Sequence, residues 1–416
     1  MIDVNAVRRA FPALAQTHGG RQVVFFDNPG GTQCPQVVID AVSHYLAFDN
    51  ANHGGAFATS RRSDAMLADA HQAMADFLGA ASPAEIVFGP NMTTLTFGVS
   101  RALGRHLSAG DEIIVTRLDH DANVSPWLLL AGDRGASVRW VDIHPEDCTL
   151  DLDSLASQLS SRTKIVAVGY ASNAVGTVND VDRIVGLAHD AGALVFLDAV
   201  QYAPHAPIDV QALGCDFLAC SAYKFYGPHV GILYGRLDLL ERLTAYKVRP
   251  AGSQPPDKFE TGTQNHEGIA GTRAAVEYLA GLADTVPAGA SRRERILAAM
   301  SEIETYEREL CARLLDGLAS IPGVRIRGIA DRARLCDRGP TVSFTMDGRA
   351  PRHIAERLAG AGIFAWSGHF YAVALTDRLR LDASGGLLRV GLAHYNTAEE
   401  IDRLLLELER IATGTV

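Results

Sequence analysis

The chain has 416 residues, of which 47% are hydrophobic and 21% are charged, and its formal net charge is −10 at pH 7. This length and composition are typical of a globular protein with one large core and a smaller second core. The negative charge and the scattered arginines argue against a nucleic-acid-binding face and against an anionic membrane surface. A small molecule is therefore the expected ligand.

The amino terminus and the apolar runs give no sign of a targeting or membrane segment, and the cysteines give no sign of a metal site. The amino terminus has an acid at its third position and no signal-peptide core, and no apolar run approaches the roughly 18 residues of a membrane span. We therefore expect a cytoplasmic protein. The cysteines show no Cys-x-x-Cys spacing, so neither a zinc site nor a disulfide framework is indicated, and most of them are expected to be buried thiols.

Between about residues 84 and 235, short β-branched runs alternate with helical stretches. This alternation predicts a largely parallel sheet that is covered by helices on both faces, which makes the fold class α/β. The predicted strands in this region begin at Glu112, Ser137, Lys164, Ala193 and Asp216.

The pattern changes after this region. A break at residues 287–291 precedes a long helix predicted over 292–318, and strands that begin at Thr341 and Leu387 suit a smaller α+β unit. We expect the amino-terminal segment to pack with this unit. The predicted domains are residues 21–285 for the large one, and residues 1–20 together with 286–416 for the small one.

One lysine stands out in this chain. Only four of the 38 Lys and Arg residues are lysines, and Lys224 follows shortly after the strand that begins at Asp216. Because an arginine is not deprotonated in a protein and cannot condense with an aldehyde, amine chemistry requires a lysine. We therefore interpret Lys224 as a candidate Schiff-base residue.

Polar residues also follow two other predicted strands. Asn173, Asp198 and Lys224 are 25 and 26 residues apart, about one strand–helix–strand unit each, and ligands bind where the carboxyl ends of such strands meet. Asp198, with Gln201 three residues later, could keep the ring nitrogen of a pyridoxal phosphate cationic, because a buried opposite charge raises the pKa of that nitrogen. An Asp at a strand end is often only a helix N-cap, but its combination with Lys224 favours the first interpretation.

A threonine-rich helix start and a histidine complete the candidates. Thr93 and Thr94 lie at the beginning of a helix predicted to run to about Leu107, and such a start binds phosphate well, although a simple threonine cap would look the same. His120 follows the strand predicted at 112–116 and offers an imidazole for stacking on a flat ring or for proton transfer. A lone histidine is more often structural.

Eight short motifs lie in order along almost the whole chain. They are Phe26-Asp-Asn-Pro-Gly-Gly-Thr, Thr93-Thr94, His120 with Ala122-Asn123, Ser172-Asn-Ala-Val-Gly-Thr, Asp198-Ala-Val-Gln, Ser221-Ala-Tyr-Lys-Phe-Tyr-Gly-Pro, Phe259-Glu-Thr-Gly-Thr and Leu388-Arg-Val-Gly-Leu-Ala-His-Tyr-Asn-Thr. Together they resemble the class V aminotransferase family, in particular its cysteine desulfurase branch.

The resemblance implies a fold-type I enzyme in which Lys224 holds pyridoxal 5'-phosphate (PLP) as a Schiff base, and a homodimer with active sites at the subunit interface. It implies that His120 stacks on the cofactor ring, that Asp198 pairs with the ring nitrogen, and that Arg389 receives the substrate carboxylate. The remaining implied assignments are Asn173 and Gln201 at the phenolic side of the ring, Thr93, Thr94, Ser221 and Tyr223 at the phosphate, and Thr263 reaching the phosphate from the partner subunit.

The chain departs from the desulfurase pattern in several places. Tyr223 stands where related desulfurases carry a histidine. Those enzymes attack the substrate sulfur with a loop cysteine, whereas no cysteine follows Cys336 in this chain, and a hydroxyl such as that of Tyr371 lacks the soft nucleophilic sulfur. Trp366 replaces an arginine that helps to bind the substrate carboxylate. We therefore expect a less cationic, more aromatic substrate pocket that includes Trp366, His369 and Tyr371.

The missing cysteine guides the choice of reaction. Once an amino-acid substrate is joined to the cofactor, Lys224 can remove its α proton, and a sulfur leaving group on the β carbon then departs without a protein nucleophile. We therefore predict a PLP-dependent carbon–sulfur β-lyase that acts on cysteine or a cysteine S-conjugate. Aminotransferase, epimerase and decarboxylating deaminase activities begin in the same way and stay open. A non-catalytic PLP-binding paralogue is disfavoured because Lys224, Asp198 and His120 are all retained.

Overall fold

The computed structural model of the chain describes residues 2–283 and 286–414. Position 285, the predicted end of the large domain, lies outside the described residues. The α-helices are α1 (Val4–Arg9), α2 (Gln36–His44), α3 (Ala58–Leu78), α4 (Met92–Gly104), α5 (Ser125–Arg134), α6 (Leu152–Gln158), α7 (Val181–Asp190), α8 (Val210–Leu213), α9 (Leu237–Arg242), α10 (His266–Ala280), α11 (Arg292–Ser320), α12 (Pro351–Gly360), α13 (Val373–Arg378) and α14 (Ala398–Thr413).

A seven-stranded sheet forms the centre of the fold. Its strands are β1 (Ile86–Gly89), β2 (Glu112–Thr116), β3 (Ser137–Val141), β4 (Thr163–Gly169), β5 (Leu194–Asp198), β6 (Phe217–Ser221) and β7 (Gly231–Gly235). Across the sheet their order is β1-β7-β6-β5-β4-β2-β3, and β7 runs antiparallel to both of its neighbours while the other pairs are parallel. The five strands predicted for this region are confirmed, and the fold class is α/β.

Helices cover both faces of this sheet, as predicted. On one face α4 and α5 pack against the strands, and Trp127 of α5 meets Phe196 of β5 with ring centroids 5.2 Å apart. On the other face α3, α7 and α10 enclose a core that includes Val195 and Leu197. Alternate residues of β5 therefore enter different cores, as the pleat of a strand requires. Burial on both faces explains why the inner strands β4, β5 and β6 are nearly continuous apolar runs.

A second, antiparallel sheet follows in the carboxyl-terminal part of the chain. Helices α11, α12 and α14 pack on it around Phe344, Leu358 and Leu404. The two strands and the long helix predicted here are confirmed, although α11 continues two residues beyond the predicted end, to Ser320. The division into two domains stays a prediction. The strands are β8 (Val324–Arg327), β9 (Thr341–Met346), β10 (Trp366–Gly368) and β11 (Leu387–Gly391), in the order β8-β9-β11-β10.

The amino-terminal segment contacts both parts of the molecule. Arg8 pairs with Glu400 of α14 over 2.8 Å. Phe11 packs edge-on against Tyr226, which follows β6, and against Tyr395, which follows β11. Throughout residues 2–283 and 286–414, no helix is both long enough and apolar enough to cross a membrane.

Candidate active site

A cavity of about 420 Å³ opens at the carboxyl ends of β4, β5 and β6, beside residues of β10 and β11. Thr94 and Thr263 do not line it, and both are exposed in this chain. The fold therefore brings together most of the candidates from distant parts of the sequence. The predicted site residues that line the cavity are Thr93, His120, Asn173, Asp198, Gln201, Ser221, Tyr223, Lys224, Trp366, His369, Tyr371 and Arg389.

Lys224 lies on a short 3₁₀ turn directly after β6. Its Nζ donates a hydrogen bond to the carbonyl oxygen of Pro29. Burial lowers the pKa of Lys224 to about 7, and the positive charge of Arg389 adds to this effect, whereas the charges of Asp198 and Asp27 oppose it. A substantial neutral fraction of the amine is thus present near pH 7, as nucleophilic attack and proton abstraction require.

Two buried carboxylates, Asp119 and Asp198, line the cavity. Asp119 accepts hydrogen bonds from the Thr116 hydroxyl and, over 3.0 Å, from Nδ2 of Asn123. Asp198 accepts a hydrogen bond from the backbone N–H of Val200 over 2.9 Å. Burial is the main cause that raises the pKa of Asp119 to about 7 and that of Asp198 to about 6. Asp198 has more acceptor capacity left, so it is the better partner for a cationic ligand atom.

The start of α4 meets the cavity beside the end of β6. Oδ1 of Asn91 caps the helix by accepting a hydrogen bond from the N–H of Thr94 over 2.9 Å, and the N–H of Met92 donates to Oγ of Ser221 over 3.1 Å. Thr93 and Ser221 line the cavity. A helix start carries partial positive charge, so this corner suits an anionic group.

His120 offers a neutral, flat ring to the cavity. Its Nδ1 accepts a hydrogen bond from the N–H of Ala122 over 3.0 Å, which places the proton of the neutral imidazole on Nε2. Burial, followed by the charge of Lys224, lowers the pKa of His120 to about 4. The Tyr371 ring stacks on it with centroids 5.3 Å apart and an angle of 21° between the planes. The stacking of His120 on a cofactor ring stays a prediction.

Arg389 is the buried cation of the site. It is 4% exposed, its Nη1 donates to the carbonyl oxygen of Asn173 over 2.8 Å, and its Nε is buried with no hydrogen-bond partner in the described part of the chain. The Phe370 ring lies 4.2 Å from Cζ of Arg389, and burial lowers the pKa of the guanidinium to about 9. Because an unpaired buried donor is costly, Arg389 is suited to a carboxylate ligand.

Residues 366–371, here called the aromatic loop, form one side of the cavity. The carbonyl oxygen of Tyr371 accepts a hydrogen bond from the N–H of Asp121, and that of Phe370 accepts one from Nδ2 of Asn173, each over 2.8 Å. Phe370 and Tyr371 have φ angles of 53° and 60°. This left-handed conformation costs about 1–2 kcal/mol for each such residue, so these contacts help to hold the loop. Trp366 and Tyr371 remain 53% and 65% exposed.

No cysteine among residues 2–283 and 286–414 lines the cavity. Four cysteines are buried, as expected for most of them, while Cys34 is half-buried and Cys336 is exposed. Burial raises the pKa of the Cys34 thiol, whose Sγ lies 3.4 Å from the carbonyl oxygen of Gly227. The fold therefore offers no thiolate to the cavity from this part of the chain.

The structure also adds three residues to which the sequence assigned no role. Asp119 lines the cavity next to Asp198, and Phe370 covers Arg389. Asp27 has a buried Oδ1 without a hydrogen-bond partner; burial raises its pKa, while the nearby charges of Arg389 and Lys224 lower it. The available signals were weak: Asp27 lies inside a matching motif, Asp119 directly precedes a candidate histidine, and Phe370 lies within the loop.

A family model described as aminotransferase class-V matches residues 24–404. The chain belongs to the class V aminotransferase family. The chain is 36% identical to a cysteine desulfurase of Synechococcus elongatus, and the match covers 100% of this chain and 64% of that protein. It is 33% identical to a cysteine desulfurase of Klebsiella pneumoniae, and that match covers 98% of both proteins. The chain spans 59% to 66% of the length of three relatives at 35–36% identity. The apo cysteine desulfurase of Thermococcus onnurineus has a similar structure, with a TM-score of 0.88 and 28% identity over 100% of this chain and 99% of that chain.

The cofactor of this member of the class V aminotransferase family is PLP. The cavity residues fit this group. Lys224 has an amine that is partly neutral near pH 7, Asp198 has a carboxylate with acceptor capacity for a protonated ring nitrogen, and the start of α4 with Thr93 and Ser221 suits a phosphate. Their individual roles toward PLP stay predictions.

Proposed function

We propose that this protein is a PLP-dependent, cysteine desulfurase-like enzyme that acts as a carbon–sulfur β-lyase on cysteine or on a cysteine S-conjugate. The observation that carries the proposal is a buried Lys224 amine in a cavity to which no described cysteine contributes. A desulfurase needs a thiolate that takes the sulfur from the substrate, whereas β-elimination needs a base and a leaving group.

Arg389 is proposed to bind the α-carboxylate of the substrate. Its unpaired Nε faces no acceptor in the described chain, and a carboxylate would satisfy it with a charge-assisted hydrogen bond. The buried Oδ1 of Asn173 is also unpartnered, and it is a suitable acceptor for a substrate N–H group. Together these two atoms would orient an amino acid from its carboxylate end.

Lys224 is proposed to move the proton. When bound, PLP supplies an electron sink for the charge left at the α carbon. Asp198 would keep a proton on the ring nitrogen, because a buried carboxylate favours the cationic form. The Lys224 amine would take the α proton, and neutral His120 would add no competing positive charge. The sulfur group on the β carbon then leaves without a second nucleophile.

The aromatic loop is proposed to receive the sulfur substituent. Trp366 and Tyr371 lie at the exposed side of the cavity, and His369 lines it between them. Large flat apolar surfaces bind aryl or alkyl groups by burying them from water. The overall reaction would consume one S-conjugate and one water, and would release a thiol, pyruvate and ammonia.

Product analysis tests this function. The holoenzyme is incubated with cysteine, cystine and S-benzylcysteine, and pyruvate, ammonia and alanine are measured. We expect pyruvate and ammonia in equal amounts, whereas alanine as the main product would indicate desulfuration. The double variant Cys34→Ser/Cys336→Ser removes the two cysteines that are not buried and should keep its turnover. Absence of pyruvate with every substrate would refute the lyase activity.

We also propose that the enzyme is a homodimer with its active sites at the subunit interface. Thr263, which the family resemblance assigns to the partner's phosphate, is exposed and outside the cavity of its own chain. Light scattering of the holoenzyme measures the assembly, and a monomer with full activity would contradict the proposal.

A further inference from the structure

A buried histidine–glutamate pair lies directly behind Gln201. Nδ1 of His205 is 2.8 Å from Oε2 of Glu307, and the two side chains are 9% and 1% exposed. Nε2 of Gln201 is 3.4 Å from Nε2 of His205 and 3.0 Å from the hydroxyl of Thr341. The amide group of Gln201 therefore connects the pair to the second sheet.

Gln201 separates two cavities. It lines the main cavity and also a small pocket of about 50 Å³ that contains His205 and Glu307. His205 and Glu307 themselves do not line the main cavity. Any influence of the pair on a bound ligand must therefore pass through Gln201 or act at a distance by charge.

We propose that His205 and Glu307 are positioning residues that decide which end of the Gln201 amide faces the main cavity. The Glu307 carboxylate accepts a hydrogen bond from Nδ1–H of His205, so Nε2 of a neutral His205 carries a lone pair and can only accept. Gln201 then turns its NH₂ group to His205 and leaves its carbonyl oxygen for the cavity. A proton on Nε2 would favour the opposite orientation, with the NH₂ group in the cavity.

This choice matters for PLP chemistry whatever reaction the enzyme catalyses. The family resemblance places Gln201 at the phenolic side of the cofactor ring. An acceptor there favours a protonated phenolic oxygen, while a donor favours the anionic oxygen. The pair would thereby adjust the acid–base behaviour of the bound cofactor, a property that differs from the proposed β-lyase activity and is measured separately.

The surroundings of the pair allow this role. Nε2 of His205 has Gln201 as its hydrogen-bond partner in the described part of the chain. Oε1 of Glu307 is buried with no hydrogen-bond partner in the described part of the chain, and burial raises the Glu307 pKa. The other titratable or charged groups around the pair are Tyr202, Tyr226, Glu304, Tyr306, Arg308, Cys311, Cys336, Arg338, His394 and Tyr395.

The test uses Glu307→Gln, which keeps the size of the side chain, and His205→Phe, which removes both ring nitrogens. For each holoenzyme, the pH midpoint of the change in PLP absorbance is measured. We expect a shift of about half a pH unit or more in both variants, because the donor or acceptor beside the cofactor changes. The control is His189→Gln, which breaks a 2.9 Å contact with Asp216 at the opposite end of β6 and should leave the midpoint unchanged.

A second readout does not depend on bound PLP. In the PLP-free protein, ¹⁵N NMR should show that the neutral His205 ring carries its proton on Nδ1 and not on Nε2. If His205→Phe fails to fold, His205→Gln takes its place. Unchanged midpoints in variants that retain PLP, or a protonated Nε2 beside an ionised Glu307, would overturn the proposal, whether or not pyruvate is formed.

Discussion

The ring of Phe370 lies 4.2 Å from the guanidinium carbon of Arg389. Asn173 also links these two residues by hydrogen bonds. Its Nδ2 donates to the carbonyl oxygen of Phe370, and its own backbone carbonyl oxygen accepts from Nη1 of Arg389. The aromatic loop is therefore attached to the cation that is proposed to bind the substrate. A change in the loop should affect carboxylate binding as well as the choice of sulfur substituent.

Arg389→Ala should raise the KM for S-benzylcysteine about 10- to 100-fold with a smaller change in kcat, because it removes a charge-assisted pair. Steady-state kinetics of the holoenzyme measure both constants. Arg313→Ala serves as the control, since its ion pair with Asp402 is half-exposed on the surface. An unchanged KM in Arg389→Ala would mean that another cation binds the carboxylate.

Tyr371→Ala and Trp366→Ala should change selectivity more than catalysis. Both side chains are more than half exposed at the cavity, so their removal should disturb the fold little but should expose a bulky sulfur substituent to water. We expect kcat/KM for S-benzylcysteine to fall about 10-fold relative to that for cysteine. Competition assays with both substrates give this ratio directly. An equal loss of kcat/KM for the two substrates would show that the loop does not discriminate between them.

Local pattern predicts much of this fold. The strands that carry Asn173, Asp198 and Lys224 at their ends are continuous apolar runs because both faces of the sheet are buried, and their parallel direction makes the three residues converge. Helix ends are less predictable. α4 ends at Gly104 instead of near Leu107, because the N–H groups of the next three residues, 105–107, donate to carbonyl oxygens three residues back instead of four.

Contacts between distant segments could not be predicted in this way. Phe370 meets Arg389 only because β10 and β11 pack beside the end of the central sheet, and no spacing in the sequence encodes that contact. The same holds for two other pairs of residues. Asp27 and Lys224 are 197 residues apart in the sequence, and His205 and Glu307 are 102 residues apart. The family resemblance supplies roles for matching residues, but it does not reveal the residues that surround them.

Asp198→Asn should lower turnover about 10²- to 10⁴-fold while the protein still folds, because an amide cannot keep the ring nitrogen cationic. Burial raises the pKa of Asp198 to about 6 in the PLP-free protein. As the pH falls below 6, the empty site takes up a proton, so the affinity of the wild type for PLP should decline. Asp198→Asn should lack this decline.

The matched control for this experiment is Asp119→Asn. Asp119 is buried in the same cavity but its carboxylate is held by Thr116 and Asn123. This variant should lower the melting temperature and keep the decline in PLP affinity at low pH. If the decline in PLP affinity disappeared in Asp119→Asn and remained in Asp198→Asn, then Asp119 and not Asp198 would be the carboxylate that pairs with the ring nitrogen.

Lys224→Met should abolish turnover and stabilise the PLP-free protein most strongly at low pH. The pKa of Lys224 falls from 10.5 to about 7 on burial, so the unfolded chain binds more protons than the folded protein between these values. The free energy of unfolding contributed by this group therefore rises with pH across this window. Below pH 7 the folded protein carries a buried ammonium ion, which methionine replaces with an uncharged side chain.

Urea unfolding of the PLP-free wild type and of Lys224→Met, from below pH 7 to above pH 10.5, measures this effect. The difference in the free energy of unfolding should shrink as the pH rises, because the wild-type amine loses its proton in the folded state first. Lys164→Met is the control, since Nζ of Lys164 bonds the carbonyl oxygen of Ser161 in an exposed position. A stability difference that stays constant with pH would show that burial does not shift the Lys224 amine, and the proposed base would lose its physical support.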